Sequence, residues 1–435
     1  MANSTRTRKS RFLFDFSPLR DGLNYQGVPQ ALTPSGMVLA TYDRGGTVGA
    51  ATSVDANGRV FTPGYKTPRW YHRYDAASGL WTPRGILLEG ERTNAIIYSQ
   101  ALEDASWTAN ALTSRLLNAS GIGGIAATAN TLIASGADAY VEKTTATSTA
   151  AGTKATLSVF AKYSNCAFVY LFDEGDAVSH RAWFNVQTGV VGTIQGGGTS
   201  GVEVIGGGYY RLWFTYPVTN SYNQRCRIGL ARSDTAADSA ATDAIIATGP
   251  QGEPTSAFPS SYMPTGASTV TRSADALSFA FNAAPQVMTV YADIVALVAA
   301  DATTNYHTAA IQNAAAGNPS FKVIVEGSAL QATNATHHNG TASVSSNAGT
   351  VAWSQRVEQR AVLGATGTVL AGASIESGAE TTGSTSAANT LSAAWAATAR
   401  ITIGAAGDGT QPLFGAVRRV RIPAGVQTLA YMRQG

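Results

Sequence analysis

Apolar and polar residues alternate with a period of two along many short stretches of this chain. Residues 156–162 (Thr-Leu-Ser-Val-Phe-Ala-Lys) alternate cleanly, and 168–172, 181–186, 209–216 and 225–231 follow in the same style. Aromatic and β-branched residues dominate these runs, and turns such as Thr188-Gly189 and the Gly206–Gly208 triplet separate them. Short strands punctuated in this way predict a sandwich or barrel. The same texture returns, in a different register, at 287–295, 321–326, 359–363, 400–404 and 414–422. Ahead of residue 89, Phe12, Phe14 and Phe16 alternate with Leu13 and Asp15. Gly and Pro then interrupt every few residues, as at Val28-Pro29, Thr33-Pro34 and Thr62-Pro63-Gly64. No helix of ordinary length survives that punctuation. The expectation is an all-β chain, with a loop-rich N-terminal region over 1–88 and two jelly-roll or β-sandwich domains over 89–275 and 276–435. The Ala/Ser/Thr tract 371–399 fits either a disordered insert or tightly packed small-residue strands and loops.

Composition narrows this picture. The chain has 435 residues, 44% of them hydrophobic and 13% charged. That charge share is about half the usual one, and Ala, Thr, Ser and Gly fill the difference. A disordered chain would be poorer in aromatics and richer in charge. The net charge of +3 argues neither for nor against nucleic acid, but its distribution is uneven. Arg6, Arg8, Lys9, Arg11 and Arg20 meet one acid, Asp15, within the first twenty residues, and Arg418, Arg419, Arg421 and Arg433 crowd the other end. The basic start lacks a following apolar run, so it does not read as a secretory signal. No run of about 18 apolar residues predicts a membrane span.

Cys166 and Cys226 lie in or beside apolar runs, as buried free thiols or, alternatively, as a disulfide. His337-His338, beside Asn339-Gly340, reads as a solvent-facing loop. Asp173, Glu174 and Asp176 follow a strong strand with Gly175 at the bend. They fit solvated turn residues or a Ca²⁺ loop, since Ca²⁺ takes several oxygen ligands from flexible segments. On 209–216, Tyr209 and Trp213 share one face, while Tyr210, Phe214 and Tyr216 share the other. One set is expected in the core and the other in a subunit contact or a sugar-stacking platform, so Tyr209, Tyr210, Trp213 and Tyr216 are candidate glycan contacts. No cofactor motif stands out. Glu203 and Asp293 are isolated along their strands, and a pair of acids for hydrolysis would have to be brought together from distant strands. The expectation is a chain that is not an enzyme.

One segment is distinctive: Gly85-Ile86-Leu87-Leu88-Glu89-Gly90-Glu91-Arg92-Thr93-Asn94-Ala95-Ile96-Ile97-Tyr98-Ser99, with Trp107 downstream. It resembles the opening of a jelly-roll module common in phage structural proteins, often named for head spike fibres. Residues 54–60 and Pro68-Arg69 are similar to the stretch before that module. Trp183-Phe184-Asn185-Val186 and Gly208-Tyr209-Tyr210-Arg211-Leu212 are similar to its aromatic strands. Gly249, Gln251 and Glu253, then Ser261-Tyr262-Met263-Pro264-Thr265 and Thr271-Arg272-Ser273-Ala274-Asp275, are similar to its close. Pro250 and Gly252 depart from the apolar strand expected there. From 276 the chain resembles concanavalin-like (laminin-G-like) sandwiches, with 415–422 and Leu429-Ala430-Tyr431-Met432 like their last strand and trailing segment.

The resemblance implies a non-enzymatic bacteriophage virion structural protein, made in the host cytoplasm and displayed on the outer surface. Its form would be an exposed head spike, decoration or fibre-like subunit. The alternatives are a tail-fibre receptor-binding protein that recognises host surface glycans and, more distantly, a polysaccharide depolymerase. Expected partners are other virion proteins (capsid, portal or collar, or tail) and further copies of the chain as a homo-oligomer. Neither a membrane nor a specific nucleic-acid sequence is expected as a partner. The virion anchor would be the N-terminal region, through Arg6, Arg8, Lys9, Arg11, Phe12, Phe14 and Phe16, for instance by adding a strand to another protein's sheet edge.

Overall fold

The computed structural model describes residues 10–15, 30–33, 36–39, 41–46, 51–64, 68–280, 287–297, 305–312, 320–326, 331–339, 341–352, 355–389, 400–405 and 412–423. Among them every regular element is a strand, apart from one 3-10 turn at Gly206–Gly208. None of their helices is long and apolar enough to cross a membrane.

The middle of the chain forms two six-stranded antiparallel sheets. The first runs Thr108–Asn110, Tyr140–Thr149, Tyr222–Ala231, Phe168–Asp173, His180–Asn185, Val190–Gln195. The second runs Leu112–Ala119, Ala129–Ala134, Ala244–Glu253, Lys154–Tyr163, Tyr209–Pro217, Thr199–Ile205. The chain passes from one sheet to the other repeatedly, which is jelly-roll winding. Alternation decides the burial. Leu157, Val159, Phe184, Leu212, Phe214, Ile228 and Ile245 fill the space between the sheets. The intervening residues of the same strands face outward.

Apart from the small two-stranded sheet Ser53–Val54/Val60–Phe61, the remaining strands build two larger sheets. One has ten strands. Along its main path lie Gly36–Leu39, Gln30–Thr33, Ser10–Asp15, Gly415–Pro423, Met288–Ala296, Arg356–Leu363, Val369–Ile375 and Thr381–Thr382. The hairpin Arg69–Asp75/Leu80–Leu88 joins it through the pairing of Leu80–Leu88 with Gly415–Pro423. The other sheet has eight strands, ordered Ser343–Thr350, Gln331–His338, Ser320–Glu326, Asn305–Gln312, Arg400–Ile403, Val270–Ala280, Thr41–Gly46, with Arg92–Asn94 also on Val270–Ala280. Val290, Ile294, Ile311, Val323, Val357, Ile401 and Val417 are buried in one continuous core. The all-β expectation therefore holds, as do the strands expected at the alternating runs.

Several local expectations change. The stretch before residue 89 is not only loop: it lends strands to both larger sheets. Ser10–Asp15 is flanked by Gln30–Thr33 on one side and Gly415–Pro423 on the other, so both its edges are occupied within the chain. That strand therefore has no free edge with which to join another protein's sheet. The strand Ala244–Glu253 runs unbroken through Pro250 and Gly252. Gly249, at φ +63°, sits where the register against Lys154–Tyr163 slips, between Ser158 and Phe160. A bulge accommodates a proline because the ladder bond is already broken there. His337-His338 is the end of the strand Gln331–His338 rather than a loop, and His337 is fully buried, its Nδ1 3.0 Å from the Gly367 carbonyl. The start of the Ala/Ser/Thr tract is packed strand in Val369–Ile375, and residues 390–399 lie outside the described residues.

Candidate functional site

Charged residues far apart in sequence meet in one buried network. Arg69, Glu89, Arg272 and Asp275 are each 2% exposed or less. Arg69 Nη1 donates to Glu89 Oε2 at 2.7 Å and to Ser261 Oγ at 2.8 Å, and its Nη2 pairs with Asp275. Arg272 lies 3.0 Å from Glu89 and donates to Ser261 Oγ at 2.7 Å and to the Gly90 carbonyl at 2.6 Å. The Glu89 amide donates to Asp275 and the Asp275 amide to the Glu89 carbonyl. Burial alone would raise the Glu89 carboxyl. The guanidinium groups of Arg272 and Arg69 and the hydrogen bonds from Ser261 and Arg69 bring it down to about 2. Such a network is costly to break because removing one partner strands a buried charge.

A small cleft opens next to it, bordered by Tyr71, Glu89, Phe160, Glu203, Arg211 and Tyr262. Glu203 stands opposite Arg211 in the ladder. Arg211 in turn donates to the Ser260 carbonyl at 2.5 Å.

The second concentration of chemistry is the outward face of the first six-stranded sheet. Register aligns two cross-strand rows there. One row is Tyr140, Gly229, Tyr170, Trp183; the next is Glu142, Arg227, Phe172, Arg181, Gln195. The Arg181 Cζ lies 4.1 Å from the Phe172 ring centre, 4.9 Å from Tyr170 and 5.3 Å from Trp183. Arg227 lies 4.0 Å from Tyr140 and 4.8 Å from Phe172. Guanidinium groups over ring faces are held by the ring quadrupole. Gly229 makes the arrangement possible, since a Cβ there would stand 1.9 Å from Tyr170 Cζ. Tyr170 donates to Asp138 at 2.8 Å and Trp183 to the Ala236 carbonyl at 2.7 Å, which fixes both rings. Arg227 pairs with Glu142 at 2.8 Å and with Glu174 at 3.0 Å; Arg225 reaches Glu174 at 3.3 Å and Glu142 at 3.7 Å. The Arg181 side chain makes neither an ion pair nor a hydrogen bond with any described residue, and its Nε is buried. Burial, with Arg227 nearby, pushes its guanidinium below the usual arginine range.

The residues singled out by sequence fare differently. Tyr209, Trp213 and Tyr216 are 2%, 6% and 0% exposed, so they do not form a sugar-stacking platform. Tyr209 packs under Phe160 and Tyr262 and donates to the Ser120 carbonyl, while Tyr216 stacks on His180 at 4.7 Å. Tyr210 is half-buried against the inner core. The Ca²⁺ reading of Asp173, Glu174 and Asp176 also falls, because donors already surround them. Asp173 accepts from Tyr216, from Tyr222 at 2.7 Å, and from the Gly175 and Arg225 amides. Asp176 accepts from the Thr219, Asn220 and Ala177 amides and faces His180 Nε2 at 3.2 Å. Glu174 belongs to the arginines. Among the described residues no three His, Cys, Asp or Glu side chains group as metal ligands. Arg11, Phe12 and Phe14 lie on Ser10–Asp15, and Arg6, Arg8, Lys9 and Phe16 lie outside the described residues. Cys166 and Cys226 are free and buried, with burial pushing the Cys166 thiol up to about 11.

Sequence reasoning missed the arginine–aromatic face. The same-parity sets Phe168/Tyr170/Phe172, Arg181/Trp183 and Arg225/Arg227 were visible as alternation. Which of them stand side by side depends on register, which one strand alone does not reveal.

No family model and no curated protein matches this chain. Among solved structures it is similar to the full-length tailspike protein 2 of Escherichia coli O157:H7 bacteriophage CAB120, at 12% identity and a TM-score of 0.28, over 35% of this chain. The match spans 22% of the tailspike's own length. It is also similar to domains LG4-5 of the mouse laminin α1 chain, at 10% identity and a TM-score of 0.23, over 64% of this chain and 85% of that one.

Proposed function

We propose that this chain is a structural protein of a bacteriophage particle, exposed on the outer surface as a head spike, decoration or fibre-like subunit. One observation carries the reading. Separate stations of the phage-module resemblance contribute Arg69, Glu89, Ser261, Arg272 and Asp275, and these five side chains meet in a single buried network. Residues chosen for their likeness to one module would have no reason to converge if the likeness were accidental. Its partners would be other virion proteins and further copies of itself, with the N-terminal region, Arg6, Arg8, Lys9, Arg11, Phe12, Phe14 and Phe16 included, as the anchor by a route other than strand addition through Ser10–Asp15.

The proposed role is non-enzymatic. Glu89 and Glu203 share the small cleft, but two guanidinium groups keep Glu89 ionised, so it has no proton to give as a general acid. Incubation with host capsule, lipopolysaccharide and peptidoglycan should release no reducing ends. Turnover abolished by one carboxylate-to-amide change would instead make the chain a depolymerase.

The deciding experiment is location. A C-terminal label on the chain should appear on intact particles, at a fixed site and copy number. Particles that lack the label while the chain is being made would sink the proposal. A second reading, a receptor-binding protein for host glycans, is favoured by the arginine–aromatic face, which joins hydrogen-bonding forks to a rigid ring floor.

A further inference from the structure

We infer that the outward face of the first six-stranded sheet is a binding site for an acidic sugar, with Arg181 as the group that receives the sugar's carboxylate. The inference deepens the glycan-receptor reading and rests on it for the source of the ligand.

The argument starts from charge matching. Three guanidinium groups lie on this face. Arg225 and Arg227 are met by Glu142 and Glu174, while the Arg181 guanidinium, though within the field of Asp138 and Glu174, forms no ion pair among the described residues. A guanidinium left unpaired on a partly buried surface carries an unused capacity for an anion. Geometry then selects the anion. Phe172, Tyr170 and Trp183 all lie within 5.3 Å of the Arg181 Cζ, so the guanidinium is held against fixed rings before a ligand arrives. A planar fork matches a planar carboxylate through two parallel hydrogen bonds, and packing against fixed rings spares part of the ordering cost. The neighbours suit a sugar ring. Gln195 stands beside Arg181 in the ladder and Glu174 is 46% exposed, so an amide and a carboxylate are available to hydroxyl groups. The ring faces themselves are capped by guanidinium groups, so recognition here runs through polar edges and not through stacking of the sugar on an open aromatic.

The test uses the full chain and two probes that differ in one group. One is an oligosaccharide of alternating uronic acid and N-acetylhexosamine; the other is its carboxyl-reduced counterpart. Calorimetry should show binding of the acidic form and loss of binding to the reduced form. Arg181→Lys keeps a positive charge but not the fork, and should weaken binding roughly tenfold to a hundredfold, with the fold retained at the assay temperature as read from an unaltered far-ultraviolet circular dichroism spectrum. Arg181→Ala should abolish binding. Equal affinity for both probes, no binding of either at millimolar concentration, or an unaltered affinity in Arg181→Lys would each overturn the inference. So would a clear preference for a phosphorylated neutral oligosaccharide over the uronic one. Label location on particles is read separately. A labelled virion with no acidic-sugar binding defeats the inference and leaves the structural role standing. An unlabelled virion with intact binding does the reverse.

Discussion

Glu89 shows how much a single buried carboxylate can decide. Its folded pKa, about 2, lies below its ordinary 4.5. The stabilisation it gives is therefore complete above pH 4.5 and is lost as pH falls toward 2. Glu89→Gln should cost about 3–5 kcal/mol at neutral pH, the usual penalty for halving a buried ion pair. Urea melts at a series of pH values should show the gap between variant and parent closing through that acid window. A constant gap would mean that the cost is steric. The cysteines give a simpler test. Cys166 and Cys226 are buried and their thiols are raised by burial, so an aromatic disulfide reagent should modify neither until the protein is denatured. Fast labelling in the native state would contradict that. The burial of both thiols was legible from their apolar runs. The fate of Asp173 and Asp176 was not, because their partners Tyr216, Tyr222, Thr219 and Asn220 come from segments more than forty residues away.

Strands are where sequence and structure agree best. Period-two alternation marked most of the central ones, since a half-buried sheet imposes that pattern directly. Pairing was not marked, and function depends on pairing. Gly229 illustrates the difference: in sequence it is a weak point in a strand, in the sheet it is the space that Tyr170 occupies. Gly229→Ala should displace the ring and cost roughly 1–3 kcal/mol, as overpacking does. Tyr170 fluorescence or its hydrogen bond to Asp138, followed by NMR, should report the shift. The strand Ser10–Asp15 allows a second test. Removing residues 1–15 uncovers half of one edge of Gly415–Pro423, and an unpaired edge recruits other chains. Light scattering should find larger species than the full chain forms. An unchanged mass distribution would mean that the edge is protected by something other than this strand.

At the scale of the whole molecule, the expected succession of anchor, first sandwich and second sandwich gives way to interleaving. The two six-stranded sheets use only the stretch from Thr108–Asn110 to Ala244–Glu253. The larger sheets draw on strands from both sides of it. Composition and alternation revealed the class, because both are local. The interleaving was hidden because it rests on contacts between the chain's two ends. The strand Gly415–Pro423 makes this concrete. It borders Met288–Ala296 on one side, and Leu80–Leu88 and Ser10–Asp15 in succession on the other. On the ribosome, Ser10–Asp15 therefore emerges some 400 residues before its neighbour, a wait of roughly 20 to 80 s at about 5–20 residues per second. The central sandwich, contiguous in the chain, can close during that interval. Ser10–Asp15 can pair early with Gln30–Thr33, but its other edge stays open to wrong partners until Gly415–Pro423 is made. Yield on expression should thus depend on translation speed and on chaperones that shield the first fifty residues, far more than the stability of the finished protein does.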